Sequence, residues 1–370
     1  MAGGFFLPMS DIIIVGGGVI GTMCALELRR AGADVTLLER IGIGQKSSWA
    51  GGGILSPLYP WRCPDAVSEL VHFGWHAFPS IAKELREAVG IDPEWIPCGK
   101  LTLDADDQAV ALAWARRYDM ELISVQGSEL AAMEPALSRH VTEALWAPQI
   151  AQVRSPRLLK ALTARLKTIG VDVREHTPVR RIAVDRGRVR GVDTVSGRIG
   201  CERVIVAAGA WSSELLAASG VTLSVRPVRG QMLLFAGEPG LLQRIILCGD
   251  RYLIPRRDGR ILVGSTVENV GFDEATTAAA HESLRATAAG LVAALDQVPV
   301  ERHWAGLRPG SPNGVPFIGE CPGIEGLFVN AGQHRNGFIL APGSAHLLTA
   351  IILRRKPILN PEPYRVGRLD

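Results

Sequence analysis

The chain runs Ile12-Ile13-Ile14-Val15 into Gly16-Gly17-Gly18-Val19-Ile20-Gly21, then through a helical stretch ended by Gly32 into Asp34-Val35-Thr36-Leu37-Leu38 and Glu39. That order dictates a strand, a tight turn, a helix and a second strand lying beside the first. Gly16 permits the turn, Gly18 lets backbone approach a pyrophosphate, and Gly21 lets the helix lie close to the sheet. The helix N-terminus then faces the phosphates, where unpaired N–H groups and the positive end of the helix dipole favour negative charge. Glu39 ends the second strand, where a carboxylate accepts both hydroxyls of an adenosine ribose and repels a 2′-phosphate. The segment reads as a dinucleotide site, and on its own it leaves NAD and FAD both open.

The rest of the chain must supply the other half of such a site. With 370 residues, it is long enough for two domains or for one domain with large insertions. Hydrophobic residues at 47%, charged residues at 21% and a formal net charge of +3 describe a globular protein and speak against a nucleic-acid surface. Cys24, Cys63, Cys98, Cys201, Cys248 and Cys321 are scattered with no CxxC pair, so free thiols in a reducing, cytoplasmic setting are expected. No apolar run is long enough for a membrane-spanning helix, so no stable membrane insertion is expected. Residues 1–8 lack a basic start and a cleavage site, so they read as an upstream extension before Met9 rather than a signal peptide.

After Glu39, residues 42–54 are small and carry Ser47, Ser48, Gly51, Gly52 and Gly53, a composition that lets amides and hydroxyls crowd a large planar ligand. Trp49, Ile54 and Leu55 argue against a solvated linker. Residues 65–89 have helical apolar spacing. His72 and His76 lie four apart on that helix without a third ligand, so packing is preferred to metal binding, and no metal is expected. A strand at 100–103, a helix at 106–118, a short strand at 145–146, a helix at 156–169 and a meander over 171–194 follow. A buried parallel strand at 203–207 ends in Ala208, Gly209, Ala210, Trp211 and Ser212, small residues of the kind a ligand in the crevice of a doubly wound sheet requires. Segments 225–235, 245–248, 252–255, 261–267 and 301–305 predict an antiparallel sheet, with a helix over 274–295 inserted before its last strand. A strand at 327–330, a turn at Ala331-Gly332 and a helix from Gly337 to about Leu353 return to the nucleotide unit. The expected fold class combines α/β and α+β: a Rossmann-like unit (9–64, 150–222 and 320–370) and a second, antiparallel-sheet substrate unit (65–149 and 223–319).

The fingerprint with Glu39, the Ser47-Ser48 to Gly53-Ile54 stretch, Val204 to Trp211, Trp304-Ala305-Gly306-Leu307-Arg308-Pro309, Pro316-Phe317-Ile318-Gly319 and Gly332-Gln333-His334-Arg335-Asn336-Gly337 occur in order over nearly the whole chain. Together they resemble the FAD-dependent amine and amino-acid oxidase family, and within it most resemble the glycine oxidases of thiamine biosynthesis. The resemblance implies FAD contacts from Val19, Ile20, Glu39, Arg40, Ser47, Ser48, Gly52, Gly53, Ile54, Val179, Gln333, His334, Arg335, Asn336, Gly337, Phe338 and Ile339. It also implies that Arg308 binds the substrate carboxylate, with Tyr252 beside it. Two parallel guanidinium hydrogen bonds fix the distance and rotation of an amino acid together, which suits Arg308 at the expected end of the last sheet strand. Arg335 has two readings, as a charge on the electron-rich flavin or as a residue closing the pocket.

The implied chemistry is hydride transfer from Cα of a neutral amine to the flavin, hydrolysis of the imino acid to an oxo acid and ammonia or amine, and reoxidation by dioxygen to hydrogen peroxide. No cysteine lies near Leu307 to Pro309, where sarcosine oxidases attach FAD, so noncovalent FAD is expected. Val267 is expected at the pocket wall, as a small residue that widens it. Glycine, sarcosine or small D-amino acids as preferred substrate, and homo-oligomerisation, are left open. The rival readings are a quinone-linked D-amino acid dehydrogenase, a noncatalytic flavin-bearing subunit associated with RNA-modifying enzymes, and an NAD-dependent dehydrogenase. The last leaves the strand ends at Ala208 to Trp211 and Gly332 to Gly337 without a purpose.

Overall fold

The computed structural model describes residues 10–368, so the reading of residues 1–9 lies outside it. Among these residues there are two eight-stranded sheets. The first runs in the order Phe317–Glu320, Leu327–Ala331, Gly197–Val206, Ser10–Val15, Val35–Leu38 and Asp172–Arg174, with Val179–Asp185 and Arg188–Thr194 continuing as a meander from Gly197–Val206. From Leu327–Ala331 to Asp172–Arg174 every pairing is parallel, while Phe317–Glu320 and the two meander strands pair antiparallel. Strands so placed are covered on both faces, which is why the chain opens with an unbroken apolar run. Ile12 and Ile14 enter one core cluster while Ile13 and Val15 enter another, as the two-residue period of a strand requires.

The first of those clusters is built from the helices Val19–Arg30, Asp65–Val89, Ser155–Thr168 and Gly337–Ile352. Asp65–Val89 thus packs on the helices Gly337–Ile352 and Ser155–Thr168 that share the first sheet's core, with Leu70, Val71 and Phe78 in that core, although chain order alone groups it with the strands that follow it. Those strands, Lys100–Thr102, Ile123–Gln126 and Glu143–Ala147, join the second sheet.

The second sheet has the order Val300–Gly310, Arg226–Phe235, Ile261–Gly264, Arg251–Pro255, Ile245–Cys248, Lys100–Thr102, Glu143–Ala147, Ile123–Gln126. It is antiparallel except where Ile245–Cys248 meets Lys100–Thr102. One face carries Leu233, Phe235, Leu253 and Val263 against the helix Ala278–Leu291; the other presents Met232, Tyr252, Ile254 and Leu262. That helix begins later than the expected residue 274 because the Thr277 hydroxyl caps it, accepting from the Ala280 amide at 3.3 Å. Its end gives way to a short 3-10 turn at Ala293–Asp296. The strand expected over 301–305 instead runs Val300–Gly310, so Arg308 lies within the strand rather than where it runs out. No helix among the described residues is long and apolar enough to cross a membrane.

Candidate active site

A cavity of about 430 Å³ is bounded by the glycine turn, the ends of the first sheet's strands and one face of the second sheet. Ten of the residues lining it are glycines, so much of its wall is bare backbone, as a large planar ligand lying flat against the chain needs.

At one end, the strand Ser10–Val15 passes into Gly16, whose φ of +115° and contact with the Ala207 carbonyl exclude any side chain. Gly21 does not line the cavity; it lies against the Gly16 carbonyl and brings the helix onto the turn. The helix Val19–Arg30 has no acidic residue in its first turn, and its Val19 amide donates to Ser48 Oγ at 2.9 Å. The positive helix end therefore keeps its charge for an incoming phosphate. Glu39 is fixed beside it, accepting from the Gly17 amide at 2.7 Å and the Ile41 amide at 3.0 Å. Arg40 covers the Trp211 ring at 3.9 Å, and Val179, Ala208, Gly209 and Trp211 complete this end with Thr177 and Arg180, which sequence reasoning missed.

In the middle, Ser47–Ala50 forms a short helix, and Ser48, Gly52, Gly53 and Ile54 line the cavity. The Ser47 hydroxyl donates to the Leu307 carbonyl, and the Trp304 indole donates to the Ala50 carbonyl at 3.2 Å, tying this stretch to the strand that carries Arg308. Arg256, also missed, pins the glycines from behind by donating to the Gly52 carbonyl at 2.7 Å.

At the far end, the strand pleat decides which side chains meet. Arg308 and Gly306 on one strand, Gly230 and Met232 on the next, Gly264 on the third and Tyr252 on the fourth share the inner face, by the pairings Gly230↔Gly306, Met232↔Gly264 and Tyr252↔Gly264. Gly230 matters most: a Cβ there would collide with the Arg308 guanidinium. Arg308 Nη1 donates to the carbonyls of Thr266 at 3.0 Å and Arg229 at 3.3 Å, and Nη2 donates to Ser265 Oγ at 2.6 Å. Burial pulls this guanidinium down to about 10, opposed by Tyr252 and reinforced by Arg335, so it is cationic at neutral pH. His334 is pushed down to about 4 by burial and by Arg308, Arg335 and Arg226, which leaves it neutral there.

Arg335 lines the cavity but is held at its edge by Asp250, at 2.8 Å; Arg335 is 18% exposed and Asp250 71%. Gln333, Asn336, Gly337 and Phe338 line the wall at the start of the helix Gly337–Ile352. Ile339 does not: it is fully buried in the core and its carbonyl faces Gly74. Val267 is not on the wall either, because the strand ends at Gly264 and Val267 is 47% exposed. The His72 and His76 rings pack edge to face with centroids 4.6 Å apart, and no group of three metal-binding side chains occurs among the described residues. The second-sheet glycines and the Ser265–Thr266 pair carry no local motif, and only cross-strand register, had it been known, would have singled them out.

Residues 11–351 match the family model described as DAO, FAD dependent oxidoreductase. Glycine oxidase of Pseudomonas aeruginosa is 47% identical, with 97% of this chain and 99% of that protein covered. The bifunctional protein ThiO/ThiG of Synechocystis is 33% identical over 94% of this chain, which spans 52% of that longer protein. The crystal structure of glycine oxidase from Geobacillus kaustophilus superimposes with a TM-score of 0.94 at 30% identity, covering 98% of this chain and all of that one. A glycine-walled cavity that starts at a dinucleotide turn and ends at a half-buried arginine fits the cofactor this family uses, and with these likenesses it establishes that the chain belongs to the family of FAD-dependent oxidoreductases.

Proposed function

We propose that the protein is a glycine oxidase that deaminates glycine and other small amines, sarcosine and small D-amino acids among them, with dioxygen as electron acceptor. The observation that carries this reading is Arg308: a half-buried cation on the cavity wall whose protein hydrogen bonds all go to neutral acceptors. A carboxylate is the partner such a group lacks, and the planar guanidinium can hold it through two bonds. The glycine-oxidase names of the relatives support the substrate class, and none of the relatives compared above is a quinone-linked dehydrogenase. The place in thiamine biosynthesis implied by the sequence resemblance belongs to the same proposal.

In this reading Gly16, Gly18, Val19, Ile20 and Glu39 hold the adenosine diphosphate half of FAD, with Arg40 and Trp211 closing over it. Ser47, Ser48, Gly52, Gly53, Ile54 and the wall from Gln333 to Phe338 hold the rest. FAD supplies the two-electron acceptor for the substrate Cα–H and passes the electrons to dioxygen. Arg308 orients the substrate through its carboxylate, and Tyr252 and Met232 wall the space beside it. The guanidinium groups of Arg308 and Arg335 disfavour a neighbouring ammonium, so the amine gives its proton to solvent water on binding and no protein base is needed. No cysteine lines the cavity, which supports noncovalent attachment. The six cysteines are free, in keeping with a reducing cytoplasmic setting.

A peroxide-coupled screen of the yellow holoenzyme under air tests this reading. Glycine and sarcosine are expected to yield peroxide. A flavin that glycine bleaches without air, but that yields no peroxide when air is admitted, would identify a dehydrogenase instead.

A further inference from the structure

Cations drawn out of bulk solvent are normally paired with carboxylates. Arg308 is not, although Glu268 lies only two residues beyond Thr266, one of its acceptors. Glu268 is engaged elsewhere. Its carboxylate accepts from Arg229 Nε at 3.1 Å, Arg229 Nη2 at 2.6 Å and Gln231 Nε2 at 2.9 Å, and from the Thr266 hydroxyl. Arg229 completes its own pairing with Asp273 at 2.5 Å. By strand alternation, Arg229 and Gln231 point away from the face that carries Gly230 and Met232, so this network lies behind the sheet as seen from the cavity.

The network converges on the groups that hold Arg308. The Arg229 carbonyl accepts both the Glu268 amide, at 3.0 Å, and Arg308 Nη1. Thr266, whose carbonyl also accepts from Arg308, is fixed through its hydroxyl, which accepts from the Gln231 amide at 2.8 Å and donates to Glu268. Two of the three acceptors on Arg308 thus belong to residues whose side chains bind one carboxylate. Burial pushes the Glu268 carboxyl up, but hydrogen bonds from Thr266, Arg229 and Gln231 outweigh it and hold the group below its ordinary range, so it is ionised at neutral pH.

We propose that Glu268 is a positioning residue for Arg308: from behind the sheet it fixes the Arg229 and Thr266 acceptors, and by taking Arg229 as its ion partner it leaves Arg308 as a cation for the substrate carboxylate to neutralise. The inference rests on the reading of Arg308 as the carboxylate-binding residue.

Its test is acetate, a carboxylate with no amine to oxidise, titrated into the holoenzyme and followed by its perturbation of the flavin spectrum, alongside glycine kinetics. In Glu268→Gln the acetate dissociation constant and the KM for glycine are expected to rise together by about tenfold, the equivalent of one charged hydrogen bond, with kcat changed far less. General damage to the fold would lower kcat and flavin content as well. Thr266→Val, which removes one link and keeps the carbonyl, is expected to move the same two quantities in the same direction by a smaller factor, and it decides the matter if Glu268→Gln loses its flavin. Loss of acetate binding in Arg308→Met, with wild-type acetate and glycine affinity in both other variants, would overturn the positioning role and leave the reading of Arg308 intact. Wild-type acetate affinity in Arg308→Met would overturn that reading itself.

Discussion

Two side chains define the ends of the cavity, and each makes a separable prediction. Glu39 is bound to the Gly17 and Ile41 amides, so Glu39→Ala removes both the proposed acceptors for a ribose and the brace on the turn. We expect it to lose FAD on gel filtration or dilution where the parent stays yellow; an equally yellow, equally stable variant would contradict the ribose role. Arg308→Ala should keep FAD and weaken glycine binding by about 2 to 5 kcal/mol, the cost of removing one partner from a buried charge pair. Steady-state kinetics with flavin content measured in parallel checks this. The sequence led to the place of both on the cavity wall, Glu39 from its position at a strand end after the glycine turn and Arg308 through the family resemblance. Gly230, Ser265 and Thr266 were not legible there, because their contacts with Arg308 are made across strands separated by tens of residues and leave no local pattern.

At the scale of elements, the strand Val300–Gly310 extends beyond the expected 305 even though Gly306 and Pro309 are poor strand residues. It can do so because it is the outermost strand of its sheet, where a proline costs no ladder bond on the free side, and because Arg226–Phe235 pairs with it along its length. The missing side chain at Gly230 opens the space that the guanidinium fills, and that at Gly306 admits Ala50. Gly230→Ala is therefore expected to fold and bind FAD but to raise the KM for glycine, since the added methyl displaces Arg308; an unchanged KM would show that the guanidinium sits elsewhere.

The strand Lys100–Thr102 makes a prediction about pH. Lys100 is buried, its ammonium donates to the Pro57 carbonyl at 3.2 Å and to that of Leu58, and burial pulls it down to about 7. Below that value both folded and unfolded chains hold the proton, and the cost of burying charge is fully present. From pH 7 upward the unfolded chain binds a proton that the folded chain has released, so stability rises. The wild type should gain about 2 kcal/mol on Lys100→Met between pH 7 and pH 9 in denaturant unfolding; a constant gap would contradict the burial of a charged group there.

For the whole molecule, the cofactor unit was legible from its first forty residues because phosphate recognition is local: a turn, a helix end and one acid. How the second sheet covers it was less so. The helix Asp65–Val89 joins the core on the first sheet's side, against Gly337–Ile352, while the strands after it join the second sheet, a choice made by core burial rather than by chain order. The hydrogen bond from Ser47 to the Leu307 carbonyl shows what this arrangement achieves, since it couples the cofactor stretch to the strand bearing Arg308. In the proposed reading, a substrate is then placed by one sheet over a cofactor held by the other.

The most direct test is anaerobic reduction of the flavin by glycine and by methylamine, which lacks only the carboxylate, in the wild type and in Arg308→Ala. The wild type is expected to prefer glycine by about 30-fold or more, and the variant, with FAD still bound, to lose that preference. A preference that survives removal of Arg308, or a wild-type flavin that glycine fails to reduce, would contradict this expectation.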